Sequence, residues 1–350
     1  MRKIADPFVV AAPAGARIRT RLHLCSADEQ VLGKVGGHLG RLAGSDLAAR
    51  CALGKGGDDG RVAKHAERTA RKRALTAASS SRWAGTITRV TADQWERAWN
   101  NLWDERGHLR AAIGVITARL AVPAGEKHCK TRGYATASER WAKQQRLQRL
   151  HARLAEVEGR LADGRVSVVR GGRRLARTRH HLEQAGLTDQ QWRQRWEAQR
   201  LFLTADGEAD KDWGNETIRV HPEHGWVQIR LPTPLAHLSN TPGRAVTYRL
   251  DAPVVFTHRA GEWAAQTANG AVAFTIWHDP DRDRWYLDAS WTAPIAHPQR
   301  NLAALRTRPT VGVDVNAGHL ACWVPRPCRQ PDRGRPHDPA RTRRQRHRTA

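Results

Sequence analysis

The chain has 350 residues, a length that allows two or three domains. Its 59 Lys and Arg outnumber 34 Asp and Glu, a net charge of +25 that points to a polyanion, with nucleic acid ahead of an anionic membrane surface. Hydrophobic content of 40%, including 14 Trp, excludes wholesale disorder. No apolar run is long enough to span a membrane, no lipidation motif is present and the N-terminus lacks a signal-peptide core, so no membrane partner is expected. The five cysteines, at 25, 51, 129, 322 and 328, form no C-x-x-C pair, which excludes a zinc ribbon or disulfide framework and fits a reducing cytoplasm.

Residues 16–25 alternate, with Ile18, Leu22 and Leu24 on one face and Arg17, Arg19 and Arg21 on the other. This predicts a strand with an exposed basic face. Ser26 and Glu29 form a capping-box pattern for a following helix, which Gly33, Gly36, Gly37 and Gly40 weaken. Residues 52–60 read as a loop without the spacing of a phosphate-binding loop.

From 61 to 204 the pattern is helical. It begins with a cluster of Arg68, Arg71, Lys72 and Arg73, readable as a phosphate contact or as a solvated face. Thr91 and Gln94 predict a helix start, followed by Trp95, Trp99 and Trp103 and then Leu109, Ile113, Ile116 and Leu120. That stripe is a core face or a base-stacking face. Leu147, Leu150, Leu154, Val157 and Leu161 form a heptad seam that needs an antiparallel partner helix, which 91–120 can supply. Residues 166–175 predict a small hairpin turning at Gly171-Gly172. Arg170, Arg173 and Arg174 there would grip phosphate or simply form a charged turn. Thr188 and Gln191 form a further capping box, with Trp192 and Trp196 after it.

From 212 the period changes to two: Ile218 and Val220, a turn at 222–225, Val227, Ile229 and Leu231, then Val272, Phe274 and Ile276 opposite Trp285, Leu287, Ala289 and Trp291. Short strands at this spacing predict a small antiparallel barrel, completed by the strand at 16–25, with the helical block inserted into it. Asp279, Asp281 and Asp283 imitate a calcium loop, but Arg284 and Ser290 stand where that loop needs Gly and Glu, so a polar hairpin loop is expected.

At 310–321 Val311, Val313 and Val315 alternate with Gly312, Asp314 and Asn316, placing Asp314 opposite the valines in a strand, a position where Asp is depleted. It is an exposed strand-end acid or a metal-binding carboxylate. The run GVDVNAGHLA (312–321) resembles the first RuvC motif of TnpB proteins, RNA-guided nucleases encoded by insertion sequences. LTAASSSRW (75–83), GYATA (133–137), ADGE (205–208), WGNETI (213–218), RLP (230–232) and RWYLDASW (284–291) are similar to upstream stretches of the same family, in order, over about residues 15–324.

The resemblance implies an α+β multidomain chain. It comprises a wedge-type antiparallel β-barrel (1–60 and 205–305), an inserted helical recognition lobe (61–204) and an RNase H-like RuvC segment (306–324). It further implies guide RNA and DNA as partners, no small-molecule substrate, and three carboxylates binding Mg²⁺ for in-line phosphodiester cleavage. Asp314 matches the first carboxylate and the only metal ligand of the motif; the other two have no counterpart here. The expectation is therefore binding without cleavage. The alternatives are a Mg²⁺-dependent endonuclease, if the missing motifs come from a second or frameshifted product, and a structural protein built on the helical seam. Residues 325–350, with nine Arg against two Asp from Val324 onward, are expected to be a disordered basic tail, as out-of-frame reading of a GC-rich gene produces.

Overall fold

The computed structural model describes residues 15–55, 60–243, 246–293, 312–316 and 319–323, with the backbone alone at 60–64 and in the last two stretches. The expected basic tail at 325–350 lies outside the described residues. They fall into two compact units, one from Arg17 to Trp291 and one holding a hairpin at 312–323.

The first unit opens with β1 (Gly15–Leu22) and continues through α1 (Ser26–Leu53), α2 (Gly60–Thr76), α3 (Ser81–Leu120), the short strands β2 (Lys127–His128) and β3 (Thr131–Arg132), α4 (Ala137–Ala162), α5 (Arg173–Thr178) and α6 (Asp189–Arg200). Then come β4 (Thr204–Ala205), β5 (Ile218–Val220), β6 (Val227–Arg230), β7 (Thr247–Arg249), α7 (Ala260–Asn269), β8 (Ala273–Asp279) and β9 (Arg284–Thr292). The fold is α+β. One sheet has the order β1-β9-β8-β4 and another β5-β6-β7. Six helices thus separate, in sequence, two strands of a single sheet, and the helical block is an insertion. Among the described residues the strands do not close into a barrel. Closure needs strands of matched length, and β4 contributes two residues, pairing only Thr204 with Thr275 and Ala205 with Phe274.

Period-two burial holds the larger sheet together. Ile18 and Leu22 of β1, Phe274 and Ile276 of β8, and Leu287 and Ala289 of β9 are buried on one face. β8 and β9 pair antiparallel with Phe274 opposite Ala289 and Ile276 opposite Leu287. The turn between them is the expected polar loop, where the Asp279 carboxylate accepts from the Asp281 amide at 3.1 Å.

The helices depart from expectation where tertiary packing outweighs local signals. α1 runs unbroken for 28 residues despite its glycines. A Cβ at Gly40 would stand 2.1 Å from the Arg200 carbonyl oxygen, and one at Gly36 3.2 Å from Leu203, so these glycines let the α6–β4 connection cross the helix closely. Its N-cap is Cys25, without a side-chain cap, in place of the expected Ser26 box. Asp28 instead accepts from the Tyr248 hydroxyl at 2.9 Å and the Asp251 amide at 3.1 Å, tying the helix to the smaller sheet. Burial, then the Asp28 hydrogen bond, push the Tyr248 phenol up to about 12.

The helix expected to start at Thr91 starts at Ser81, capped by Ser80, whose hydroxyl accepts from the Trp83 amide at 3.2 Å. Thr91 is buried mid-helix, its hydroxyl donating to the Ile87 carbonyl at 3.0 Å. At α6 the capping box forms as read, with Gln191 N to Thr188 Oγ1 at 3.1 Å and Thr188 N to Gln191 Oε1 at 3.0 Å.

The seam on α4 finds its partner in α3. Trp95 and Leu102 bury against Val157 and Val166, with Trp99, Leu109, Leu161 and Val168 packed around them. Arg153 reaches Glu105 at 2.7 Å, and Glu158 takes Arg106 at 3.1 Å and Arg110 at 2.6 Å. At the far end of α3, Arg140 donates to the Leu120 carbonyl at 2.8 Å, so the helices run antiparallel. The expected hairpin at 166–175 does not form. Val166 and Val168 pack into this core instead of pairing, Gly171 and Gly172 turn the chain with φ near 90°, and α5 begins at Arg173.

In the second unit β10 (Gly312–Asn316) pairs antiparallel with β11 (His319–Trp323), with Asp314 opposite Ala321.

Candidate nucleic-acid interface

The basic residues singled out from the sequence fall into distinct environments. On β1, Arg19 clamps the Asp288 carboxylate with Nε at 2.6 Å and a terminal nitrogen at 3.0 Å, and Arg17 bonds the same carboxylate. The Asp288 side chain is 2% exposed, while those of Arg17 and Arg19 are 61% and 50% exposed. Burial alone would raise the Asp288 carboxyl. The hydrogen bond from Arg19 and the charge of Arg17 outweigh it and hold the group below the usual carboxylate range. Arg21 is exposed.

On α2, Arg68 and Arg73 are exposed and make no ion pair among the described residues. Lys72 is half-buried, its chain against Gly85 of α3. Arg71 differs: it donates to Asp46 at 2.6 Å and forms an ion pair with Glu67 at 3.3 Å, with a side chain 9% exposed. It braces α1 against α2 and is closed to a phosphate, a correction to its grouping with its neighbours.

The third cluster divides in the same way. Arg170 turns inward, donating to the Arg200 carbonyl at 3.1 Å and the Leu201 carbonyl at 2.9 Å, and its guanidinium lies 5.3 Å from the Phe202 ring. Burial, reinforced by the nearby Arg200 charge, lowers it to about 10. Arg170 is structural. Arg173 and Arg174 instead line an open groove of about 530 Å³ with Arg177, Thr178, His181 and Gln184. No carboxylate lines this groove, and Arg174 and Arg177 make no ion pair among the described residues. Arg173 donates to the Ser167 carbonyl at 2.9 Å, which fixes the groove's first turn.

Arg177, His181 and Gln184 escaped the sequence reading. Arg173, Arg177 and His181 stand four apart, a helical spacing that the hairpin expectation concealed. An exposed groove lined by three guanidinium groups and an imidazole, with no carboxylate in the lining, can bind a run of phosphates through charge-assisted hydrogen bonds.

Four of the upstream motifs, LTAASSSRW, ADGE, WGNETI and RLP, meet elsewhere, at a joint between α3 and the sheets. Arg82 pairs with Glu208 and with Glu216 at 2.5 Å, Arg230 reaches Glu216 at 2.9 Å, and Arg89 reaches Asp206 and Asp93, each at 2.8 Å. The Trp83 indole donates to the Arg230 carbonyl at 2.8 Å. Buried Asn215 donates to the Asp206 and Val272 carbonyls at 2.9 Å and accepts from the Thr217 amide at 2.9 Å and the Ile218 amide at 3.0 Å. These motifs build the fold; their arginines are already neutralised.

Asp314 lies mid-strand in the β10–β11 hairpin, the only acid in that stretch of sequence. A Mg²⁺ ion takes several hard oxygen ligands, so one carboxylate does not by itself fit it, and no cleavage step is derived. Among the described residues no three His, Cys, Asp or Glu side chains stand together to hold a metal, and no helix is long and apolar enough to cross a membrane. Compared with known proteins, the chain matches no family model, no curated protein and no solved structure.

Proposed function

We propose that this chain is a nucleic-acid-binding protein of TnpB-like, transposase-associated type, which holds a guide RNA and its paired DNA through backbone contacts. The groove lined by Arg173, Arg174, Arg177 and His181, in whose lining no carboxylate stands, carries the proposal. On a chain of charge +25 it is a surface where several cations lie together unpaired among the described residues, and phosphate is a partner that completes them. The order of the motifs and the placement of Asp314 in a strand support the TnpB-like reading, with a wedge-type domain built from the two sheets and the 312–323 hairpin as the start of a RuvC-type sheet. Asp314 matches one of the three carboxylates that the family's nuclease uses, and the proposal here is of binding. Cleavage by a partner-completed site would require Mg²⁺ and be lost in Asp314→Ala.

The structural alternative loses ground because the α4 seam is already covered by α3 within the chain. The test is RNA binding by the full chain across a salt series. Affinity that falls steeply with salt supports the reading; affinity that is absent at low salt, or indifferent to salt, overturns it.

A further inference from the structure

We propose that the outer face of the four-stranded sheet, around Trp277 and Tyr286, is a base-stacking platform for single-stranded RNA. The inference deepens the nucleic-acid reading above and rests on it for the choice of polymer; the geometry comes from a different part of the molecule. Trp277 of β8 and Tyr286 of β9 are register partners, on the face opposite Phe274, Ile276 and Leu287. Their rings stack with centroids 4.8 Å apart and planes 20° from parallel, and both side chains are half-buried. The Arg19 guanidinium lies 4.5 Å from the Trp277 ring centroid and 5.8 Å from that of Tyr286. Its position is not left to chance, because the bidentate bond to the buried Asp288 carboxylate holds the guanidinium in place.

The arrangement joins two π faces and a planar cation, the combination on which unpaired bases of any identity stack. Arg17 and Arg21 flank Arg19 at alternate positions of β1, about 7 Å away on either side by strand geometry, where they meet the backbone phosphates of a strand lying across the sheet. Three arginines of β1 against Asp288, with Asp279 of the same face offset by its register partner Arg284, leave this face positive. A duplex hides its base faces. RNA is the nucleic acid that ordinarily presents unpaired bases to proteins, which selects it over DNA. A cross-strand aromatic pair also steadies its own sheet, so the experiment must separate stacking on a base from stacking within the fold.

The full chain is titrated with a labelled single-stranded oligouridylate, with an abasic RNA of the same length, and with the matching single-stranded DNA. The expected result is about tenfold tighter binding of the base-bearing RNA than of the abasic strand. Trp277→Leu and Tyr286→Leu abolish that preference and leave abasic affinity unchanged, whereas Trp277→Phe and Tyr286→Phe retain most of it. Photochemical cross-linking of the unmodified chain to the same oligouridylate is expected at Trp277 or Tyr286, a readout independent of how the variants fold. Equal binding of base-bearing and abasic RNA, or cross-links confined to other residues, overturns the platform while leaving the nucleic-acid reading intact. Tighter binding of the DNA strand overturns the choice of RNA. Failure to bind any of the three at low salt overturns both proposals.

Discussion

Two regions of this chain are equally rich in arginine and do opposite things. At the joint between α3 and the sheets, Arg82, Arg89 and Arg230 each meet a carboxylate from Asp93, Asp206, Glu208 or Glu216, with Asn215 at the centre. In the α5 groove, Arg173, Arg174 and Arg177 meet none. Charge satisfied within the chain holds elements together; charge left open is held ready for something outside. The comparison assigns stability to the first region and binding to the second, and each assignment can be broken separately.

The largest effect is expected at the joint. Asn215→Ala removes the acceptor of two buried amides and the donor to two carbonyls. Leaving such groups unpaired destabilises the fold by about 3–5 kcal/mol, read as a lower urea midpoint at unchanged slope. RNA affinity per folded molecule should stay within about twofold, since the side chain is buried away from the groove. A variant as stable as the parent would show that the joint is not held by this residue.

Next comes the groove. Replacing Arg173, Arg174 and Arg177 together by Ala should weaken RNA binding by about tenfold or more and lower the salt slope by about 2, one increment of roughly 0.7 for each lost phosphate contact on a single strand. Stability should move by no more than about 0.5 kcal/mol, because these exposed side chains brace nothing but the Ser167 carbonyl. A control sharpens the contrast: Arg170→Ala, three residues away in sequence, should reverse the pattern. It should lower stability by about 1–3 kcal/mol, through the unmet Arg200 and Leu201 carbonyls, and leave the salt slope unchanged.

That control also marks how far the residues alone could be read. Alternation made β1 and the β8–β9 pair legible, and spacings of three and four made the α3–α4 seam legible, because period reports which face is buried. Arg170 and Arg71 looked like Arg173 and Arg68 because composition carries no information about depth. Gly36 and Gly40 read as helix breakers, since propensity is local; the crossing chain that requires their missing side chains comes from 160 residues further on in sequence. Thr91 offered a cap signature and became a buried mid-helix residue because Ser80 capped the helix earlier. At 166–175 the two glycines did turn the chain, yet the strands expected on either side lost to a core that buries Val166. The groove was half legible for the same reason: Arg173 and Arg174 were seen, while Arg177 needed the helix and His181 the turn that follows it.

The smallest effect tests the surface between the two extremes. Asp288 neutralises Arg17 and Arg19 as the joint's acids do, yet those arginines remain at least half in solvent, while those of the groove are exposed. Its carboxyl is held below the ordinary value near 3.9. A depressed carboxylate contributes stability above its unfolded pKa and loses it as pH falls through the folded one. The contribution should therefore be complete above about pH 4 and fade below it. Screening of the exposed guanidinium groups limits it to about 1 kcal/mol. Asp288→Asn should flatten the acid limb of the stability–pH curve by that amount. It should also raise RNA affinity at neutral pH, modestly, because one carboxylate no longer competes with phosphate for Arg17 and Arg19. An affinity that falls instead would mean that holding Arg19 in place matters more to binding than freeing its charge, and would move β1 from the satisfied class to the open one.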